Sequence, residues 1–196
     1  MYTKTIKACI NQGQNVSRKA KDDYFFPVTG VSSQFKNWVA ILDFKTCATC
    51  RSNHGKVFYN YEDVDPEPPV HEKCRCNISP LKSVAAGSAT KDNLNGADFW
   101  LKYTGRLPEN YISWEQLQSL GWKRGERPSK YSSGKMLGGM IYYNADGHLP
   151  NGSGRVWHEA DINYTHGRRN THRIVWSNDG LIFVTYDHYQ TFYEII

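Results

Sequence analysis

The sequence predicts an α+β fold in which helices pack on one face of an antiparallel sheet, preceded by a small cysteine-rich unit built to bind zinc. Three observations predict it. Helix signals end at Gly121, and beyond Lys135 the pattern changes to short β-branched or aromatic runs separated by turns. Four of the five cysteines crowd into one early stretch as CxxC and CxC. Between these regions lies SPLKSVAAGSATKDN, rich in Ser, Ala, Gly and Lys and without apolar periodicity, which reads as a linker. The division that follows is a cysteine-rich unit over 1–80, a linker over 81–92 and the α+β domain over 93–196.

Within the later domain, Asn93 or Asn95 is placed to cap a first helix running to Tyr103. Ser113 opens a second, WEQLQSLG. MLGGMIYY, RVWHEADI, HRIVWS, LIFVTYD and TFYEII then read as strands, and NDG between the third and fourth is a hairpin signal. Trp122, Trp157 and Trp176 are expected in the core. The helices should cover one face of the sheet and leave the chemistry on the other.

In the cysteine-rich stretch, DFKTCATCRSNHGKVF is followed, after an acidic, proline-rich loop, by PPVHEKCRCN. Two short thiolate clusters separated by a loop can fold back into tetrahedral zinc coordination, with Cys47, Cys50, Cys74 and either Cys76 or His71 as ligands. A pair of disulfides, or free thiols, is the alternative.

The run GRVWHEADINYTHGRRNTHRIVWSNDGLIFVTYDHYQTF puts Glu159, Arg169, Arg173 and His188 among the predicted strands. Cleaving RNA through its own 2′-hydroxyl requires a base for the 2′ proton, an acid for the departing 5′ oxygen, and fixed cations around the transition state. A carboxylate, an imidazole and two guanidiniums meet that requirement without a metal. Taken singly, each has a blander explanation. A glutamate on a strand is usually a solvated face, and Arg169 with Arg173 could be structural partners of Asp161 or Asp179.

From about Leu94 to Phe192 the chain resembles the barnase family of microbial guanyl-preferring ribonucleases. The segments LPENYISWEQLQSLGW, SGKMLGGMIYYNADGHLPNGSGR, WHEADINYT, RNTHRI and TYDHYQTF keep the family's order and spacing. The resemblance implies a barnase-like fold and an endoribonuclease that yields 2′,3′-cyclic phosphate and 5′-hydroxyl ends. It assigns the general base to Glu159, the general acid to His188 and phosphate binding to Arg169 and Arg173. Tyr142 and Tyr189 lie beside the nucleotide, and Asn144 and Asp146 fall in the loop that reads guanine. Arg155 and Asp161 match structural salt-bridge positions. Four positions depart from the pattern: Trp114 replaces a lysine, Met140 an aspartate, Ala145 an arginine, and Asp146 a longer glutamate. Trp114 and Met140 replace the two members of a charged pair together, which implies a repacked site.

Residues 38–80 are similar to the cysteine-rich end of phage Mu F-like head morphogenesis proteins, through Asp43, Thr46, Cys47, Cys50, Gly55, Pro69, His71, Cys74, Arg75 and Cys76. The long helical region that precedes this stretch in that family is largely absent here. The combination implies a ribonuclease toxin on a phage-derived module, with RNA as substrate. The expected partners are a barstar-like immunity protein and phage head or delivery-particle components. No cofactor is expected for catalysis. The competing reading is a noncatalytic phage-head or nucleic-acid-binding protein that kept the fold; Glu159 and His188 argue against it, Trp114 for it.

Composition agrees with a protein that handles a polyanion. The 196 residues carry a net charge of +5 and a pI near 8.9, which favours encounter with RNA. MYTKTIKACINQGQNVSRKAKDDYF lacks the apolar core of a signal peptide, and no window suits a membrane crossing. The expected location is a bacterial cytoplasm, of producer or target, or a phage particle.

Overall fold

The computed structural model describes residues 33–196, so the reading of the first 25 residues lies outside the described residues. The chain first builds a three-stranded antiparallel sheet, ordered β2-β1-β3, from β1 (Phe35–Val39), β2 (Val57–Tyr59) and β3 (Asn77–Pro80). A helix, α1 (Ala48–Asn53), lies between β1 and β2. The next elements are β4 (Ser83–Val84), α2 (Ala97–Thr104), β5 (Tyr111–Ile112) and α3 (Trp114–Ser119). A meander completes the fold: β6 (Met136–Tyr142), β7 (Trp157–Asp161), β8 (Arg173–Ser177), β9 (Ile182–Thr185) and β10 (Tyr193–Ile195).

The larger sheet has seven strands in the order β4-β10-β9-β8-β7-β6-β5. From β6 to β10 it is antiparallel, as expected. NDG closes the β8–β9 hairpin, with Ser177 N donating to Leu181 O at 2.9 Å. The two outermost pairs, β4 with β10 and β5 with β6, are parallel. For β5 and β6 the reason is a long crossover: residues 113–135, α3 included, return the chain in the same direction. Beneath β5, Gly138 leaves space for the packing, because a Cβ there would stand 2.6 Å from the Tyr111 ring and 2.8 Å from Leu107.

Helix starts follow the caps. Ser113 accepts from Gln116 N and Gln116 Oε1 accepts from Ser113 N, so α3 opens on a reciprocal capping box. The first helix differs from expectation: Asn93–Asn95 is a separate 3₁₀ turn and α2 begins after Gly96 without a side-chain cap. Asp98 is the cause. Buried in the first turn, it accepts from Gly87 N, Ala89 N and Thr90 Oγ1, spending its carboxylate on the loop before the helix.

The segment 81–92, which composition reads as a linker, enters this sheet through Ser83–Val84 and is packed against the domain beyond it. Leu81, Val84 and Ala89 are buried, Glu194 N donates to Lys82 O, and Ile196 N donates to Val84 O. A strand of two residues leaves no periodicity to read.

Alternation along the central strands gives two apolar faces. Ala160, Ile174, Ile182 and Val184 meet Ala97 and Leu101 of α2 on one side. Trp157, Val175 and Phe183 point to the other, where Phe35 of β1, Val57 of β2 and Leu81 pack on them. The second face is therefore partly covered by the small sheet. Toward the other ends of the strands that same face turns polar, with the cross-strand row Asp161–Arg173–Thr185 and, one step in, Glu159 opposite Val175. No helix among the described residues is long and apolar enough to cross a membrane.

Candidate active site

Glu159 sits mid-strand on the uncovered part of the second face, half-buried. Tyr189 Oη donates to its Oε2 at 2.5 Å. Burial and the neighbouring Glu159 raise the Tyr189 phenol far above its ordinary value, so the tyrosine keeps its proton and acts as a fixed donor. Its ring stacks on Tyr142, with centroids 5.1 Å apart and planes at 20°.

His188 is exposed on the turn after β9. His188 and Tyr189 both take left-handed backbone, φ 61° and 71°, which costs energy for residues with side chains. Asp187 holds the turn: its Oδ1 accepts from Gln190 N at 3.1 Å, Thr191 N at 3.0 Å and Thr185 Oγ1 at 2.9 Å, and its Oδ2 from Thr191 Oγ1 at 2.6 Å. Tyr189 N donates to Thr185 Oγ1, and His188 N to Thr171 O. A strained turn tied by one carboxylate presents the imidazole to solvent. Sequence reasoning missed Asp187, although a T-x-D-x-x-x-T spacing was there to suggest such a turn.

The two arginines converge on Asp161, which is fully buried. Arg169 donates to it through Nε at 2.8 Å and Nη2 at 2.7 Å, and Arg173 Nε lies 3.0 Å from Asp161 Oδ1. Arg173 also donates through Nη1 to the carbonyls of Asn170 and His172, both at 2.7 Å. Burial works against the Arg169 charge, but the Asp161 contacts outweigh it and raise the guanidinium above its ordinary value. The blander alternative for these residues is thus realised in part: both pair with Asp161. Two guanidiniums on one carboxylate still leave a net positive charge beside Glu159 and Tyr189. Arg155 takes the other aspartate, bonding Asp179 through Nε at 3.0 Å and Nη2 at 2.8 Å.

The loop Asn144–Gly147 follows β6. Asn144, buried and at φ 47°, accepts from Leu149 N and donates to Leu149 O, so its amide closes its own loop. Asp146 is exposed at the rim. Trp114 and Met140 pack into one apolar cluster with Leu117, Trp122 and Leu137, and Trp114 meets Trp122 edge-on at 4.7 Å.

A cavity of about 670 Å³ joins these parts. Glu159, His188, Tyr142, Tyr189, Asn144 and Asp146 all line it, whereas Arg169 and Arg173 are not among its lining residues. The first unit also lines it, through Leu42, Arg51 and His54. Nothing in the sequence signals that contribution, because residues about a hundred positions apart meet only after folding.

The cysteine cluster lies in the same unit. Donor atoms of Cys47, Cys50 and His71 fall within 4.8 Å of one another, as do those of Cys50, Cys74 and Cys76. All four thiols are free. His71 Nδ1 lies 2.8 Å from Glu72 O, which as a donor would leave Nε2 available to a metal, and Nε2 stands 3.6 Å from Cys50 Sγ. A hydrogen bond from Cys76 N lowers the Cys74 thiol to about 7, while burial pushes Cys50 up. Arg75 clasps Asp43 with two bonds of 2.8 and 2.7 Å, joining the halves of the cluster. Thiolates and one imidazole are the donors a structural zinc takes.

Comparison with known proteins agrees with the geometry. A ribonuclease family model matches residues 100–196. Over 100 residues the chain is 47% identical to a ribonuclease of Heyndrickxia coagulans, covering 50% of this chain and 91% of that protein. It is equally 47% identical over 100 residues to ribonucleases of Bacillus intermedius and Bacillus pumilus, covering 61% of each. The chain belongs to the ribonuclease family, and the domain at residues 100–196 is that of an endoribonuclease.

Proposed function

We propose that this ribonuclease works by transphosphorylation. Glu159 takes the 2′ proton, the 2′ oxygen attacks the phosphorus in line, and His188 protonates the departing 5′ oxygen, giving a 2′,3′-cyclic phosphate and a 5′-hydroxyl. Arg169 and Arg173 balance the charge that gathers on the nonbridging oxygens, so the step needs no metal. Tyr189 holds the Glu159 carboxylate, and the Tyr142–Tyr189 pair offers a ring face to a base. The observation that carries the reading is that Glu159 and His188, 29 positions apart, line one cavity. Asp146 at its rim is the acceptor for a guanine N1 and N2 edge, which makes guanosine the preferred base.

The test is cleavage of a short RNA in EDTA by the intact chain, beside Glu159→Ala and His188→Ala, with product ends identified. Cyclic-phosphate ends after guanosine, reduced at least a hundredfold in both variants, are expected; no cleavage by the intact chain would favour the noncatalytic binding role instead.

The resemblance of residues 38–80 to phage Mu F-like proteins supports a further reading. The enzyme is a toxin carried on a phage-derived module, its producer is protected by a barstar-like immunity protein, and its cysteine unit is held by one structural zinc on Cys47, Cys50, Cys74 and either Cys76 or His71. Zinc bound by those residues would cross-link the two halves of the unit. Metal analysis of the purified protein should find one zinc per chain, and a metal-free preparation with its fold intact would remove that part of the reading.

A further inference from the structure

We infer that Arg51, from the cysteine unit, supplies a binding site for an RNA phosphate next to the one cleaved. The inference deepens the proposed function and rests on it for the identity of the polyanion.

The ribonuclease part of the cavity lining carries two carboxylates, Glu159 and Asp146, and Arg169 and Arg173, outside that lining, are tied to Asp161. Positions 114 and 145 hold Trp and Ala, without charge. Arg169 and Arg173 serve the cleaved phosphate, so a neighbouring phosphate needs a cation from elsewhere. Among the lining residues from the first unit, His54 accepts a hydrogen bond at Nδ1 from Ala40 N, and burial lowers its tendency to charge. Arg51 is the remaining cation that this unit contributes to the lining. Among the described residues it pairs with no carboxylate, unlike Arg75, Arg155, Arg169 and Arg173. Its hydrogen bond is to a carbonyl, from Nη2 to Asp43 O at 2.8 Å. Most of its five N–H donors stay available, in the fork geometry that suits phosphate.

The side chain also stands on a fixed base. At one end of α1, Cys50 is buried in the thiol cluster. Beyond the other end, Val57 N donates to His148 O at 2.7 Å, and His148 Nε2 donates to His54 O at 3.0 Å. Between them Gly55, at φ 85°, lies so close to the turn carrying His188 that a Cβ would stand 1.8 Å from Gln190 O. Backbone thus meets backbone across the seam, and α1 cannot drift from the catalytic turn without breaking these contacts.

The experiment compares the intact chain with Arg51→Ala and Arg51→Lys on a dinucleotide, which has one phosphate, and on a hexanucleotide. Binding of a fluorescent hexanucleotide with 2′-deoxy sugars is measured beside it, since that probe resists cleavage. Arg51→Ala should weaken hexanucleotide binding about fivefold and raise its KM more than that of the dinucleotide, while Arg51→Lys recovers most of the loss. The slope of log affinity against log salt should fall by roughly 0.7, one phosphate contact on a single strand. Equal affinity and equal salt slope in Arg51→Ala would overturn the inference and leave the proposed reaction standing. Arg51-dependent binding without cleavage by the intact chain would do the reverse.

Discussion

The two parts of this molecule reach stability by different routes. The seven-stranded sheet buries apolar side chains on both faces, Ile174, Ile182 and Val184 on one and Val175 and Phe183 on the other. The cysteine unit has one small cluster of its own, Trp38, Ala40, Cys50 and Val64, ringed by thiols. It also lends Phe35 and Val57 to the core of its larger neighbour. A strand pattern can specify the first kind of structure. The second depends on converging donor atoms and on a surface to dock against, and so the small unit is both held by the ribonuclease domain and part of its cleft.

The shared core can be broken at Phe183. It is fully buried and meets Phe35 at 5.2 Å, Trp157 at 5.9 Å and Phe192 at 6.4 Å. Phe183→Ala should cost about 3–5 kcal/mol, a fall in Tm of roughly 6–20 °C for a chain of this size. Because the cluster contains residues of both parts, thermal unfolding should remain one transition; two separate transitions in the intact chain would show that the parts do not share a core.

The same contrast explains what could be read in advance. The β8–β9 hairpin was legible because NDG and β-branched runs are local signals, and α3 because Ser113 and Gln116 form a box within four residues. Glu159 and His188 were singled out through the family segments that carry them, and both line the cavity. What was hidden depends on distant partners. Asn144 lines the cavity, and its amide also closes the loop through Leu149, a bond that its residue type alone does not announce. Arg169 and Arg173 had two readings, and the buried Asp161 joins them, since a guanidinium can pair with a carboxylate and still lend charge to a neighbouring site. Arg51 carried no chemical signal and Gly55 only a motif position, because the contacts they make arise only where one sheet lies on the other.

A smaller break targets that seam alone. Gly55→Ala puts a Cβ into Gln190 O at a backbone angle that disfavours side chains, so the seam must open. Gly105→Ala is the matched control, with φ 69° and nothing within 4 Å of the new Cβ. Both should lose about 1–2 kcal/mol from the left-handed conformation. Gly55→Ala should additionally weaken hexanucleotide binding as Arg51→Ala does, and equal binding by the two glycine variants would separate docking from RNA affinity.

The finest tie between the regions should respond to acid. Arg155 donates to Asp179 in the β8–β9 turn, to Pro150 O, and through Nη2 to Tyr59 Oη of the small sheet at 2.9 Å. The Arg155 hydrogen bonds hold the Asp179 carboxyl below its ordinary value. A folded-state pKa below the unfolded one adds stability above the unfolded pKa, about 3.9 for aspartate, and that stability is lost as pH falls through the folded value. Asp179 is half exposed, with 48% of its side chain accessible, so screening limits the gain to roughly 0.5 kcal/mol. Asp179→Asn should therefore lower Tm by about 1–2 °C at pH 7, and the difference from the intact chain should shrink below about pH 4 as the carboxylate takes up its proton. A gap that persisted undiminished at low pH would mean that Asp179 orients Arg155 toward Tyr59 by hydrogen-bond geometry, with its charge contributing nothing to the joint.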